Sequence, residues 1–302
     1  MLTEESRGTE TSILLNVKGP FDLARTIECG QIFKWQKQGN AYLGVEGGHL
    51  LKVEQKGQKL KVGCTPTMDR AALRRLVGDI FRFDDDLPLI LSDIGRDDHI
   101  KQMIGMHSGL RLMRQDPWEC MLSYLCSINS NIPRITRDVQ NIASVAGKRV
   151  SGHDTFHQLP TPQEIVELGE EGLRKLGVGF RARFIYAAAR RLIDERLELM
   201  ELRRMKYDEA YCILEEFEGI GPKVADCILL FSLDKLESFP VDRWVKRGLE
   251  EIYFSGRKVS IRELREWSRY YFGRYAGYAQ QYLFHQTRTM NRSAAVSTEM
   301  NG

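Results

Sequence analysis

Leu214-Glu215-Glu216-Phe217-Glu218-Gly219-Ile220-Gly221-Pro222-Lys223-Val224-Ala225-Asp226-Cys227, with Pro240-Val241-Asp242 downstream, decides how the rest of the chain is read. The segment up to Phe217 reads as the end of a helix and Gly219-Ile220-Gly221 as a tight turn. Pro222 reads as the first residue of a second helix, where the N–H it lacks would have no partner. Lys223 then stands in that helix's first turn. Two glycines around one apolar residue let backbone N–H groups come close to a nucleic-acid phosphate. An amine beside such a turn has two uses: it clamps a phosphate, or it attacks carbon as a nucleophile. Lys223 and Cys227, four residues apart, share one helix face, while Val224, Ala225, Ile228 and Leu229 form an apolar one. One side can pack while the other lines a pocket.

Asp242 follows Lys223 by 19 residues and precedes Arg243-Trp244-Val245-Lys246-Arg247, which reads as a further helix. Aspartate is a favoured N-cap, and the capping hydrogen bonds favour its ionised form. A carboxylate near an anomeric carbon can stabilise an oxocarbenium-like transition state or take a proton from an attacking amine. On these residues alone two readings stand. Helix-hairpin-helix units clamp DNA without regard to sequence, with Lys223 a phosphate contact and Asp242 a plain cap. Alternatively, the pair belongs to an enzyme that does chemistry on DNA.

The 302 residues suffice for two domains, and a net charge of +3 means that DNA affinity must come from a local patch. Six cysteines are scattered without a CxxC, which argues against a disulfide framework and a zinc site. His153 and His157 have metal-like spacing but no partner ligands, so neither a metal nor a cofactor is expected. The N-terminus is acidic and polar without a signal core, and no 18-residue apolar run exists. The expectation is a cytoplasmic monomer, nucleoid-associated if prokaryotic, with no membrane span.

Residues 12–64 alternate apolar and polar positions, with turns at Gln38-Gly39-Asn40, Glu46-Gly47-Gly48 and Lys56-Gly57-Gln58. That spells an antiparallel meander, with a short helix over Phe21 to Thr26. Beyond Thr67 the period becomes helical. Helices are expected near 67–80, 97–114, 116–128, 132–146, 162–170, 181–196, 207–217, 222–233, 242–253, 260–272 and 275–289. The tail over 291–302 is small and polar and is expected to be disordered. The class is α+β: an N-terminal antiparallel β domain followed by an all-helical domain.

Five separated motifs besides the hairpin sharpen the functional choice. The hairpin lysine with Pro240-Val241-Asp242 resembles the helix-hairpin-helix DNA glycosylase superfamily. Glu28-Cys29-Gly30-Gln31-Ile32-Phe33-Lys34-Trp35 resembles its 8-oxoguanine DNA glycosylase branch. So do the stretches Arg111 to Cys120 and Cys126 to Thr136, then Leu176 to Arg183, and Tyr275-Ala276-Gly277-Tyr278-Ala279-Gln280. The motifs run in the family's order from about residue 28 to 285. The resemblance implies a β-rich domain with linking helices over 1–110 and a helical glycosylase domain over 111–290. It implies excision of 8-oxoguanine from double-stranded DNA, with cytosine the expected opposite base, through a lysine Schiff base, then β-elimination at the abasic site.

Site roles follow by the same resemblance. Lys223 is the nucleophile and Asp242 supports the charged transition state. Gly30 offers a carbonyl to the N7–H of the oxidised base, where guanine has a bare acceptor. Cys227 and Phe284 sandwich the base, and Gln280 reads its pairing edge. Asn129 fills the space that the base leaves. Arg134 and Arg181 hold the orphaned cytosine, whose O2 and N3 accept guanidinium donors. Gly219 and Gly221 present N–H groups to phosphate. Some relatives carry a four-cysteine iron–sulfur cluster near the C-terminus; no cysteine follows Cys227, which excludes it here. The chain departs from the pattern at Trp244, where the family has histidine, at Phe180, where it has tyrosine, and at Ser130, where asparagine is common. These departures bear on phosphate contacts and opposite-base preference. The competing readings are an alkylated-base glycosylase, which uses the aspartate and water without a hairpin lysine, and a non-enzymatic DNA-binding protein.

Overall fold

The computed structural model describes residues 10–299, with side chains through residue 290. Five strands build one antiparallel sheet: β1 (Thr11–Asn16), β2 (Gln36–Gln38), β3 (Ala41–Glu46), β4 (His49–Lys56) and β5 (Lys59–Thr65), in the order β1-β5-β4-β3-β2. The three glycine turns fall where expected and make β2 to β5 a meander. The first strand does not continue it. β1 pairs with β5, Thr11 opposite Cys64 and Asn16 opposite Lys59. Between β1 and β2 the helix α1 (Leu23–Glu28) and residues 29–35 carry the chain away from the sheet and across to the helical body.

One sheet face is closed by α2 (Arg70–Ile80), whose Leu73, Val77 and Ile80 pack with Ile13, Val53 and Val62. The remaining helices are α3 (Leu87–Ile94), α4 (Asp98–Met106), α5 (Pro117–Cys126), α6 (Ile132–Ala146), α7 (Pro162–Leu173) and α8 (Arg181–Asp194). After them come α9 (Tyr207–Glu215), α10 (Pro222–Ser232), α11 (Arg243–Tyr253), α12 (Ile261–Phe272) and α13 (Ala276–Glu299). The periodicity missed α3, an apolar run whose start is marked by Asp86 accepting from the Leu89 N–H at 3.1 Å. It also ran α4 too far. Residues 110–113 are buried and extended instead of helical. Their backbone groups find partners outside any helix: Gln31 Nε2 donates to the Arg111 carbonyl, and Gln31 Oε1 accepts from Met113 N, both at 2.8 Å. A tertiary side chain replaces the helical hydrogen bonds.

α3 and α4 put Leu87, Ile90, Ile100 and Met103 into the helical core with α5, α8, α10 and α13. By packing, the helical body therefore takes in chain from before residue 111. No helix among the described residues is long and apolar enough to cross a membrane. The disordered tail expected over 291–302 lies outside the residues whose side chains are described.

Candidate active site

α10 owes its start to Pro222 in its first turn and to Gly221 as cap. The hairpin before it is pinned from below by Phe217 and Ile220, both buried. From α10's open side the Lys223 Nζ donates to Ser127 Oγ at 3.0 Å and lies 4.7 Å from the centre of the Tyr124 ring. Ser127, just past α5, uses its own hydroxyl proton on the Tyr124 carbonyl at 2.6 Å. Tyr124 is buried, stacked on Phe231 with centroids 5.7 Å apart. The amine thus rests on an aromatic floor with one hydroxyl acceptor.

A cleft of about 1110 Å³ opens around this amine. Every residue to which the sequence reading gave a site role lines it except Arg181. Asp242 enters from the N-terminus of α11, which it caps by accepting from Val245 N at 2.8 Å. Cys227 lies one turn beyond Lys223, and burial pushes its thiol up to about 12, so it stays protonated. From α13 come Phe284 and the buried Gln280, whose Oε1 has no hydrogen-bond partner. Gly30 closes the cleft from the turn after α1. Its φ is +92°, and a Cβ there would lie 2.6 Å from both Arg288 Nη1 and Ile132 Cδ1. Only glycine fits in both respects.

Asn129 lines the cleft with φ +48°, in the left-handed region that asparagine enters more readily than most non-glycine residues. Arg134 is on the first turn of α6, with Nη2 3.4 Å from the Gly177 carbonyl. Arg181 is 1% exposed, its Nε donating to the Ile128 carbonyl at 2.8 Å and its Nη1 to the Val178 carbonyl at 2.7 Å. It braces the Asn129 loop from behind instead of facing the cleft. The sequence reading passed over Tyr124, Ser127 and Phe33. Tyr124 is hidden in the apolar run of α5, and the signal for Ser127 was its place two residues before Asn129.

The hairpin glycines differ. Gly219 has φ +86°, and a Cβ there would come 2.5 Å from the Phe184 ring; Gly221 is extended, with open space around it. Gly219→Ala is expected to cost about 1–3 kcal/mol in chemical denaturation. Gly221→Ala should leave stability within about 0.5 kcal/mol; the sequence expectation that this hairpin takes a phosphate adds that duplex binding should weaken, since a methyl would fill the open space there. Equal destabilisation by both would refute this division.

Asp242 departs from the expectation that capping bonds hold its carboxyl low. Burial pushes it above the ordinary 3.8 and outweighs the opposing pull of the Val245 N–H, the Lys223 charge and the Trp244 N–H. If the ionised form works, activity falls as pH drops through this raised value. The acid limb of kcat/KM should then lie above pH 3.8 and vanish in Asp242→Asn. A limb at or below 3.8 would count against that role.

Residues 13–121 match the 8-oxoguanine DNA glycosylase N-terminal domain, and residues 123–269 match the HhH-GPD superfamily of base excision DNA repair proteins. A probable N-glycosylase/DNA lyase of Methanothermobacter thermautotrophicus is 31% identical over 297 residues, covering 89% of this chain and 94% of that protein. The chain belongs to the 8-oxoguanine DNA glycosylase family. The N-glycosylase/DNA lyase OGG1 of Arabidopsis thaliana is 34% identical over 280 residues, covering 87% of this chain and 76% of that one. Among solved structures, a Clostridium acetobutylicum 8-oxoguanine glycosylase/lyase, bound to double-stranded DNA with cytosine opposite 8-oxoG, superposes with TM-score 0.85. The two are 31% identical, with 92% of this chain and 98% of that chain covered. A 3-methyladenine DNA glycosylase from Archaeoglobus fulgidus shares the fold at TM-score 0.76 and 22% identity, over 91% and 98% of the two chains.

Against this family's pattern, two departures now have places. Phe180 is 48% exposed and meets the Phe184 ring edge-on at 6.0 Å. Trp244 lines the cleft two residues past Asp242, with the Arg243 guanidinium 5.5 Å from its ring centre. Both put a less polar ring next to a residue singled out in the sequence, Phe180 beside Arg181 and Trp244 two residues past Asp242.

Proposed function

We propose that this chain flips 8-oxoguanine out of duplex DNA, excises it through covalent attack by Lys223, and cleaves the resulting abasic strand. The carrying observation is an amine held in a cleft by one hydroxyl, with Asp242 on the adjoining wall. Nζ forms a bond to the anomeric carbon as the glycosidic bond breaks, and the base leaves with the electron pair. Ionised Asp242 is the counter-charge to the oxocarbenium-like state, and once Nζ has bonded to carbon the amine gives up its proton to that carboxylate. The sugar ring opens to an iminium. Loss of a C2′ proton then expels the 3′ phosphate, and water returns the free lysine.

Selection precedes chemistry. Gly219 and Gly221 anchor a backbone phosphate, which gives position without sequence. The Gly30 carbonyl accepts the N7–H of 8-oxoguanine; guanine would face it with a lone pair and leave a buried acceptor unpaired. Phe284 and Cys227 cover the base's faces, and the open Gln280 Oε1 accepts a hydrogen bond from an N–H of its pairing edge. Asn129 fills the vacated space. Arg134 meets the orphaned cytosine, and Arg181, whose Nε and Nη1 hold the Ile128 and Val178 carbonyls, supports the loop beside it. The enzyme works wherever chromosomal DNA lies, which in a prokaryotic cell is the nucleoid.

Borohydride trapping tests this. A duplex with 8-oxoguanine opposite cytosine should yield a covalent adduct, and an undamaged duplex none. Base release without an adduct would mean a water-using glycosylase. Binding with neither would mean a clamp.

A further inference from the structure

Arg288 stands on α13 in line with Gln280 and Phe284, eight residues past the first and four past the second. Its Nη2 donates to the Glu28 carbonyl at 2.6 Å, 260 residues away in sequence. Its Nη1 abuts Gly30 so closely that a methyl there would lie 2.6 Å from it. Its guanidinium carbon is 5.8 Å from the centre of the Phe284 ring. One planar group therefore touches both the turn that presents the Gly30 carbonyl and the ring opposite Cys227. Those two walls come from opposite ends of the chain.

We infer that Arg288 is a positioning residue that sets lesion discrimination: it holds the Glu28-Cys29-Gly30 turn and the Phe284 ring in one frame. The inference rests on the proposed base excision. The oxidised base differs from guanine at N7 by a single proton, so the reading carbonyl must not drift. A misplacement of about 1 Å costs on the order of 100-fold at a reacting or recognising centre. The fixed fork of a guanidinium suits this task better than an ammonium on a flexible stem. Arg288 acts through Gly30 and takes no part in attack by Lys223.

The test compares two reactions of the same enzyme. Arg288→Met keeps the apolar stem and loses the donors. Release of 8-oxoguanine from duplex DNA should fall about 10- to 100-fold, and the preference over guanine should shrink with it. Strand scission at a preformed abasic site, which has no base to read, should fall less than about threefold on the same reasoning. Arg288→Lys, which still reaches the Glu28 carbonyl, should restore part of the excision. Parallel loss of both reactions would mark a general structural role and overturn the inference, as would unchanged excision. Wild-type protein that releases no 8-oxoguanine overturns the functional reading and this inference with it.

Discussion

Lys223→Gln is expected to abolish borohydride trapping and to slow strand scission by on the order of 10⁴-fold or more, as removal of a covalent nucleophile does. Glutamine is close to lysine in reach, and its amide can still donate to Ser127 Oγ, 3.0 Å from the native nitrogen. The aromatic floor of Tyr124 and Phe231 is untouched. Folding and duplex affinity should therefore survive, the melting temperature staying within a few degrees. What disappears is the lone pair that bonds to carbon. Slow base release by water is compatible with the result, because the pocket and Asp242 remain. A surviving adduct of normal yield would mean that another amine does the chemistry.

Asp226→Ala should be the most damaging single truncation away from the cleft. Asp226 is fully buried on the inner side of α10, one residue before Cys227. It accepts from Arg265 Nε at 2.6 Å and from the Tyr207 hydroxyl at 2.5 Å. Arg265 also reaches the Tyr211 hydroxyl at 3.0 Å, so α9, α10 and α12 meet at this carboxylate. Alanine would leave a largely buried guanidinium without its counter-charge, a loss of about 3–5 kcal/mol. For a chain of this size that is a fall of about 10 °C in melting temperature. Because α9 and α10 flank the hairpin, duplex binding should weaken as well. Asp226→Asn keeps the shape and an acceptor and should recover part of the stability. A shift of under about 1 kcal/mol in the alanine variant would show that the network carries little.

Much of this was legible in the residues. Glycine, proline and aspartate punctuate local structure by their own backbone and capping chemistry, so the turns at Gly39, Gly47 and Gly57, the hairpin, and the starts of α5, α6, α10 and α11 fell where expected. The errors were where tertiary partners took over. Leu110 to Met113 have helical spacing of apolar residues, yet Gln31 supplies their backbone bonds. The alternation of β1 told of a strand but not of its neighbour. Asp242 was read as held low by its cap, since the depth of the cleft around it has no local signature.

Chain order alone settled the two-part build and the pairing of an amine with a carboxylate, because capping, turn geometry and periodicity act between near neighbours. Packing alone decided that Arg181 braces a loop, that Tyr124 and Ser127 seat the amine, and that Arg288 meets Glu28 across 260 positions. Burial, charge balance and shape are properties of everything that surrounds a side chain, and those surroundings exist only once distant segments have come together.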